Sequence, residues 1–307
     1  MNKNNFLTGI ELPRGDLVKI LDLAILFKKE RKEKKLRTDF QGMSLAILFE
    51  KPSLRTHISF SLAFRELGGQ VIESFSLNRK KEEPEDVGRV VAGFCDAIML
   101  RTHEHDILER MSSKISIPLI NGLSDTHHPC QTLADLLTLK EKFGKLEGLK
   151  LSYIGDGNNI LHSLMLLCPY LGVDIHYACP KGYEPSAFVL KQAKNLAAEG
   201  GAKIRSFHKP QDAVKGTDAI YTDVWTSMGF EQEEERREAA FRGYQVNKAL
   251  HSLANPGAVI MHCLPMIRGK EITDEMADHA NSVIFQQSEN RLHAQKALMF
   301  HLLGGKL

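Results

Sequence analysis

A short apolar run, a polar loop and then a helical pattern recur along this chain, and that grammar leaves few folds open. In the first half the runs are "SLAILFE" (44–50), "QVIESF" (70–75), "DAIMLRT" (96–102) and "IPLINGL" (117–123). Helical stretches such as "HISFSLAFRELG" and "PCQTLADLLTLKEKFG" follow most of them. In the second half the runs are "LKLSYIGD", "VDIHYA", "AKIRSF", "TDAIYTD", "GAVIMHCL" and "SVIFQQ". Between two of these, "PSAFVLKQAKNLAAEGG" reads as a helix closed by glycines. Continuous apolar strands alternating with helices predict parallel sheets covered on both faces. The expected class is α/β with two domains, each a mainly parallel sheet flanked by helices. At 307 residues the chain is long enough for two. The junction is expected near "KEKFGKLEGLK" (140–150), giving domains over 1–140 and 150–289. The last helix, "SENRLHAQKALMFHLL" (288–303), either finishes the second domain or returns to the first.

The net charge of +2 gives no global reason to expect nucleic acid or a membrane surface, so any anion site must be local. No apolar run reaches the ~20 residues of a membrane span, and "MNKNNFLTGIELPRGD" lacks the pattern of a secretory signal. The cysteines, at 95, 130, 168, 179 and 263, are odd in number and far apart, which argues against a disulfide framework. A cytoplasmic location is expected. The charge runs "KKERKEKK" and "EQEEERRE" mix both signs and read as solvated helix faces or loops.

In parallel α/β sheets ligands sit beyond the carboxyl ends of the strands, so those loops are where chemistry is expected. After "SLAILFE" comes "KPSLRTH", where Ser53 suits a helix N-cap and Arg55 and Thr56 fall in the first turn. A helix start offers free N–H groups and a partial positive charge, and an arginine adds a bidentate phosphate donor. An ordinary capped helix with a surface arginine is the alternative. "DAIMLRTHEHD" places Arg101 at a second strand end, which strengthens the case for an anion site.

"SDTHHPCQTLADLL" (124–137) brings His127, His128 and Cys130 within four positions and raises the question of a metal. A zinc site wants three or four ligands, usually as spaced pairs, and no partner Cys-x-x-Cys or His-x-x-x-His occurs elsewhere. Pro129 suits the first helical position, which makes His128 the cap, with Gln131 beside it at the same helix start. Two polar side chains at a positively biased helix end can donate to an anion, or to a carbonyl oxygen gaining charge. A purely structural cap is the other reading.

In the second half "LSYIGDGNNILHS" resembles a nucleotide loop but lacks the third glycine, since Ile160 follows Gly155 and Gly157. Asn158 and Asn159 are better placed to hold a polar substrate. "TDAIYTDVWTSMG" ends its strand in Asp223, with Ser227 and Met228 on the following loop. "GAVIMHCLP" ends in His262, Cys263 and Leu264. Cys263 is a possible nucleophile, but strand neighbours point to opposite faces, so His262 is a poor partner for it.

Taken together, "FEKPSLRTH", "MLRTHEH", "HPCQTLADLLTL", "GDGNNILHS", "DVWTSMG", "HCLP" and "ENR" resemble the ornithine carbamoyltransferase family, from about residue 44 onward. The resemblance implies a carbamoyl phosphate domain (1–140), an ornithine domain (150–289) and a C-terminal helix (290–307) returning to the first. It implies transfer of the carbamoyl group from carbamoyl phosphate to the side-chain amine of L-ornithine, giving citrulline and phosphate in arginine metabolism. Ser53, Leu54, Arg55 and Thr56 would wrap the phosphate, Arg101 would touch phosphate and the carbamoyl oxygen, and His128 and Gln131 would hold the carbamoyl group. Asn159, Asp223, Ser227 and Met228 would bind ornithine. Cys263, Leu264 and Arg291 would close around both substrates, with Asp223 and Cys263 orienting the amine. No metal or organic cofactor is implied. A homotrimer, or a multiple of trimers, is implied, with Ser76 and Lys80 reaching a neighbouring subunit's phosphate site. His57 and Ile267 depart from the family's common residues. Other acceptors (putrescine, aspartate) or a non-catalytic α/β binder are the alternatives, and a nucleotide-dependent dehydrogenase is disfavoured by the missing glycine.

Overall fold

The computed structural model describes residues 5–74, 82–226 and 231–305. Its contacts divide the chain into two units, Met1–Leu137 with Glu289–Leu307, and Thr138–Ser288. The boundary falls inside a helix, just before the glycine-punctuated segment 140–150.

The first unit opens with helix α1 (Arg14–Lys32), then alternates β1 (Ser44–Phe49), α2 (Leu54–Arg65), β2 (Gln70–Ser74), α3 (Pro84–Ala92), β3 (Ala97–Arg101), α4 (His105–Ser112), β4 (Leu119–Leu123) and α5 (Pro129–Phe143). All strand pairs are parallel, in the order β2-β1-β3-β4. β1 and β3 are buried nearly throughout, which is why they read as continuous apolar runs. β2 is an edge strand and only partly covered. Ala46, Leu48, Ile98, Leu100, Leu108, Met111 and Leu119 belong to one core cluster on this sheet.

The second unit continues with β5 (Lys150–Ile154), α6 (Asn159–Tyr170), β6 (Asp174–Ala178), α7 (Ala187–Gly200), β7 (Ile204–Phe207), α8 (Pro210–Val214) and β8 (Ala219–Thr222). After α9 (Glu234–Phe241) and α10 (Lys248–His251) come β9 (Val259–His262), α11 (Asp274–Ala277) and α12 (Ile284–Leu302). This sheet is also parallel, in the order β7-β6-β5-β8-β9. Ile154, Ile220, Ile260, Ile272, Met276 and Ile284 are buried together in its core.

The α/β class with two helix-flanked parallel sheets is as the sequence predicts. One strand expectation fails. "SVIFQQ" makes a single bridge from Ser282 to Ile260, and from Ile284 the chain is already helical as α12. An apolar run this short looks the same at a helix start as in a strand, and its length alone cannot arbitrate. The later turns of α12 cluster with the first unit. There Lys28 donates to Asn290 at 2.7 Å, Lys296 pairs with Glu66 at 3.1 Å, and Phe300 packs edge-on to Phe27. No described helix is long and apolar enough to cross a membrane.

α7 ends as its glycines predict, with Gly201 in the left-handed region at φ 72. Gly200 has a different task. A Cβ there would stand 1.9 Å from the Pro169 carbonyl oxygen of α6, so the two helices meet backbone to backbone. Gly200→Ala is expected to cost about 1–3 kcal/mol by overpacking and to lower the melting temperature by roughly 3–10 °C. Differential scanning calorimetry checks this, and an unchanged melting temperature would contradict the close approach.

Candidate active site

Each sheet has one place where the chain departs to both sides, and there the loops at the strand ends part. In the first unit this point lies between β1 and β3, and in the second between β5 and β8. Such switch points open a crevice at the carboxyl ends of the strands.

At the first, Phe49 and Arg101 are register partners, so Arg101 stands beside the turn that leads into α2. Its guanidinium donates to Ser53 Oγ at 3.0 Å and to Thr56 Oγ1 at 3.3 Å. Arg291, from α12, donates to the same Thr56 Oγ1 at 2.9 Å. Ser53 precedes α2 in an extended conformation, but its hydroxyl turns to Thr56 at 3.0 Å and does not cap the helix amides. Arg101, Arg291 and Thr56 are buried. Burial, then repulsion from Arg291 and Arg55, pushes the Arg101 pKa down to about 10. Positive charge is thus concentrated over hydroxyls at a helix start, an arrangement suited to a bound anion. Arg101 Nε has no hydrogen-bond partner among the described residues.

His128 lies close to this group, and Gln131 follows it at the same helix start. α5 begins at Pro129, and the His128 carbonyl accepts from the amides of Gln131 and Thr132 at 3.1 and 3.3 Å. Burial, and after it Arg291, Arg101 and Arg55, holds the His128 imidazole pKa well below the ordinary value, so the ring is neutral at neutral pH. Gln131 donates to Asp135 at 2.8 Å, and its buried Oε1 has no partner among the described residues. The other members of "HHPC" are engaged elsewhere. Cys130 donates to the Asn121 carbonyl at 3.4 Å, and burial pushes its thiol up to about 12. His127 packs against the His105 ring. Among the described residues this stretch forms no three-ligand group. His57, one of the departures, pairs with Glu73 of β2 at 2.9 Å.

At the second switch point the register decides which groups meet. Ile154, Thr222 and His262 are aligned across β5, β8 and β9, so Asp223 and Cys263 follow side by side. Cys263 Sγ donates to Asp223 Oδ1 at 3.0 Å, and Asn158 Nδ2 donates to Asp223 Oδ2 at 2.8 Å. The Val224 amide donates to Asp223 as well, at 2.8 Å. Asn158 also caps α6, accepting from Ile160 and Leu161. Asn159, the residue expected for a ligand, is half-buried at the first position of α6. Ser227, Met228, Ser76 and Lys80 lie outside the described residues. Leu264 takes φ 61 and precedes a cis bond to Pro265.

Three connections here were not read from the sequence. Asn158 as the holder of Asp223 had a usable signal, an Asn before an apolar helix start. The buried pair of Arg237 with Asp156, at 2.7 Å, joins residues with no pattern between them. That arginine also donates to the Trp225 carbonyl at 3.0 Å and lies over the Tyr183 ring. The third is His262 with Glu271, at 3.0 Å and fully buried. Gly157 of "GDGN" serves close packing: a Cβ there would lie 2.3 Å from Pro185 N. Asp223, His262 and Cys263 do bring three metal-type donor atoms within 4.8 Å of one another. Both imidazole nitrogens are committed, however, Nδ1 to the Leu264 amide and Nε2 to Glu271.

Known proteins carry the same pattern over the whole chain. The carbamoyl-P binding domain of aspartate/ornithine carbamoyltransferase matches residues 4–141, and the Asp/Orn binding domain of the same family matches 147–302. An ornithine carbamoyltransferase of Methanobrevibacter smithii is 45% identical over 293 residues, 94% of this chain and 96% of that one. The anabolic ornithine carbamoyltransferase of Pyrococcus furiosus is 47% identical over 290 residues, 93% of this chain and 92% of its own. A solved structure of ornithine carbamoyltransferase from Pyrococcus furiosus aligns with a TM-score of 0.95 at 44% identity, covering 99% of this chain and 98% of that one. The chain belongs to the aspartate/ornithine carbamoyltransferase family.

Proposed function

We propose that this chain is an ornithine carbamoyltransferase, moving the carbamoyl group of carbamoyl phosphate onto the side-chain amine of L-ornithine to give L-citrulline and phosphate in arginine biosynthesis. The observation that carries the donor half is the meeting of Arg101 and Arg291 at the Ser53 and Thr56 hydroxyls, with Arg55 near enough to repel Arg101. The first unit is the carbamoyl phosphate domain in this reading, and the second is the ornithine domain. Ser53, Leu54, Arg55 and Thr56 wrap the phosphate. Arg101, His128 and Gln131 take the carbamoyl group, and Arg291, Cys263 and Leu264 complete the contacts. Asn159, Asp223, Ser227 and Met228 hold ornithine. The full-length likeness to ornithine enzymes favours ornithine over putrescine or aspartate as acceptor.

The amine nitrogen attacks the carbamoyl carbon, the carbon–oxygen bond to phosphate breaks, and the amine gives up a proton. A neutral His128 suits this step as a hydrogen-bond donor to the carbonyl oxygen as it gains charge. An alkyl amine of pKa ~10.4 is neutral in only about one molecule in a few thousand at pH 7. Asp223, already accepting from Asn158, Val224 and Cys263, is the group placed to orient that amine. The leaving phosphate is a second candidate to take the proton.

The cytoplasm is the expected location. The assembly is a trimer or a multiple of trimers, in which Ser76 and Lys80 of one subunit reach the phosphate site of the next. The exposed Leu54, Ile58 and Ile72, on α2 and the edge strand β2, support a neighbouring copy on that side.

A citrulline assay with carbamoyl phosphate and a panel of amines tests the reaction. The parent should use ornithine, and turnover of aspartate or putrescine alone would overturn the assignment. Arg55→Ala and Arg101→Ala should each lose about 1.5–3 kcal/mol of anion binding, roughly 10–150-fold, with a matching loss of turnover. Near-normal carbamoyl phosphate affinity in either variant would remove that arginine from the site.

The His128 ring should titrate well below the ~6.5 of an ordinary imidazole. Nitrogen-15 histidine spectra recorded from pH 8 to 5.5 check this against a His128→Gln variant that identifies the signal. Titration near pH 6.5 would contradict the burial and the three arginines.

Sharing of sites between subunits is tested by mixing Lys80→Ala and Arg55→Ala chains after dissociation. Hybrid trimers should regain activity, because some interfaces then carry neither lesion. No recovery, with hybrids confirmed by native mass spectrometry, rules the shared site out.

A further inference from the structure

The buried pair of His262 and Glu271 contributes nothing to the reaction as described so far, yet it grips the turn that follows Cys263. The Leu264 amide donates to His262 Nδ1 at 2.9 Å. A neutral imidazole carries one proton, so with Nδ1 accepting, the proton is on Nε2. Nε2 then donates to Glu271 Oε1 at 3.0 Å. The same Oε1 receives the Ile267 amide at 2.6 Å. The first amide of the turn is thus held by the histidine, the last by the glutamate, and the two holders are bonded to each other. The His262 amide is fixed in turn by Gln287 Oε1 at 2.9 Å. Both His262 and Glu271 are fully buried, so neither side chain has room to swing. The turn they enclose contains Leu264 at φ 61, a conformation that a leucine does not adopt without support.

We propose that His262 and Glu271 are positioning residues, which fix the Leu264 turn through the Nε2–H tautomer of His262 and so hold Cys263 against Asp223. The inference rests on the assignment of Cys263 and Leu264 to the transfer site, since a misplaced turn matters to turnover only there. The two residues stand nine positions apart, and the strand pattern gives His262 no evident partner. Glutamate and histidine serve here as one fitted bracket, and the ring nitrogen facing Leu264 is the part that sets the geometry.

Two amide side chains separate the two ring nitrogens. In His262→Asn the carbonyl oxygen stands near the place of Nδ1 and can still accept from Leu264, while the link to Glu271 is lost. In His262→Gln the amide nitrogen stands near the place of Nε2 and can still donate to Glu271, while the Leu264 amide loses its acceptor. The Gln variant should lose about 100-fold in kcat, the scale on which a small misplacement acts. The Asn variant should lose about tenfold, the scale of one hydrogen bond.

Alkylation of Cys263 by iodoacetamide, located by peptide mass spectrometry, reads the turn without reference to activity. It should quicken by about tenfold in the Gln variant alone, as a local opening does, with buried Cys168 and Cys179 still protected. Equal losses of turnover in the two variants, or unchanged Cys263 labelling in His262→Gln, would overturn the proposal. A parent that carbamoylates no amine would sink the functional reading instead, and the labelling would still decide the turn. If labelling of Cys168 and Cys179 reports that both variants unfold, Glu271→Gln and Glu271→Leu take over. The first keeps an acceptor for both donors and should stay within tenfold of the parent in kcat and in Cys263 labelling. The second leaves both the Ile267 amide and His262 Nε2 without an acceptor, which frees the far end of the turn and the tautomer together, and should lose about 100-fold in kcat with Cys263 labelling about tenfold faster. Equal behaviour of the Glu271 pair would overturn the proposal.

Discussion

Everything specific in this chain depends on parallel strands parting. When a chain leaves a central strand to both sides, the loops at its carboxyl end separate and leave a notch lined by main chain and by helix starts. This chain makes that notch twice, at β1/β3 and at β5/β8. Neither needs a cavity carved into the core, because the core clusters lie among the strands and the helices covering them. The register then does the fine placement. Because Phe49 pairs with Arg101, and Thr222 with His262, the next residue out on each strand meets its neighbour at the rim. A slip of one residue would turn these side chains to the opposite face.

The two notches differ in electrostatic character. In the first, Arg101 and Arg291 donate to the Ser53 and Thr56 hydroxyls. Like charges buried together at a helix start are a setting suited to an anion. Burial, and after it the same field, keeps His128 uncharged. The second notch is built from a carboxylate surrounded by donors, a setting for an amine. Binding energy from fixed charges and dipoles of this sort is available without rearrangement at the moment of reaction.

Much of this was legible in the chain itself. Arg101 could be read because it stands at the end of an apolar run, and Arg55 because it falls in the first turn of a helix that begins after Ser53, although the Ser53 hydroxyl itself turns to Thr56 and leaves the helix amides uncapped. His128 could be read through Pro129, which fixes where α5 begins. Other features were beyond reach for physical reasons. Arg291 was named only through the family resemblance; its bond to Thr56, from the far end of the chain, depends on the return of α12. Arg237 with Asp156, and His262 with Glu271, are side-chain bonds between elements, and no local propensity records them. "SVIFQQ" misled because a strand and a helix start share a short apolar signature.

The leucine at φ 61 bears on how such a protein can be altered. A left-handed leucine is disfavoured by roughly 1–2 kcal/mol, and glycine would sit there without that cost. The leucine side chain is partly buried against the second unit's core, and full burial of such a side chain is worth about 1.5–3 kcal/mol. These opposed contributions nearly cancel, so stability alone barely distinguishes the two residues. A library sorted by heat resistance would let glycine drift into this position unnoticed. On the proposed role of Leu264 at the transfer site, only a screen that includes turnover would retain the leucine.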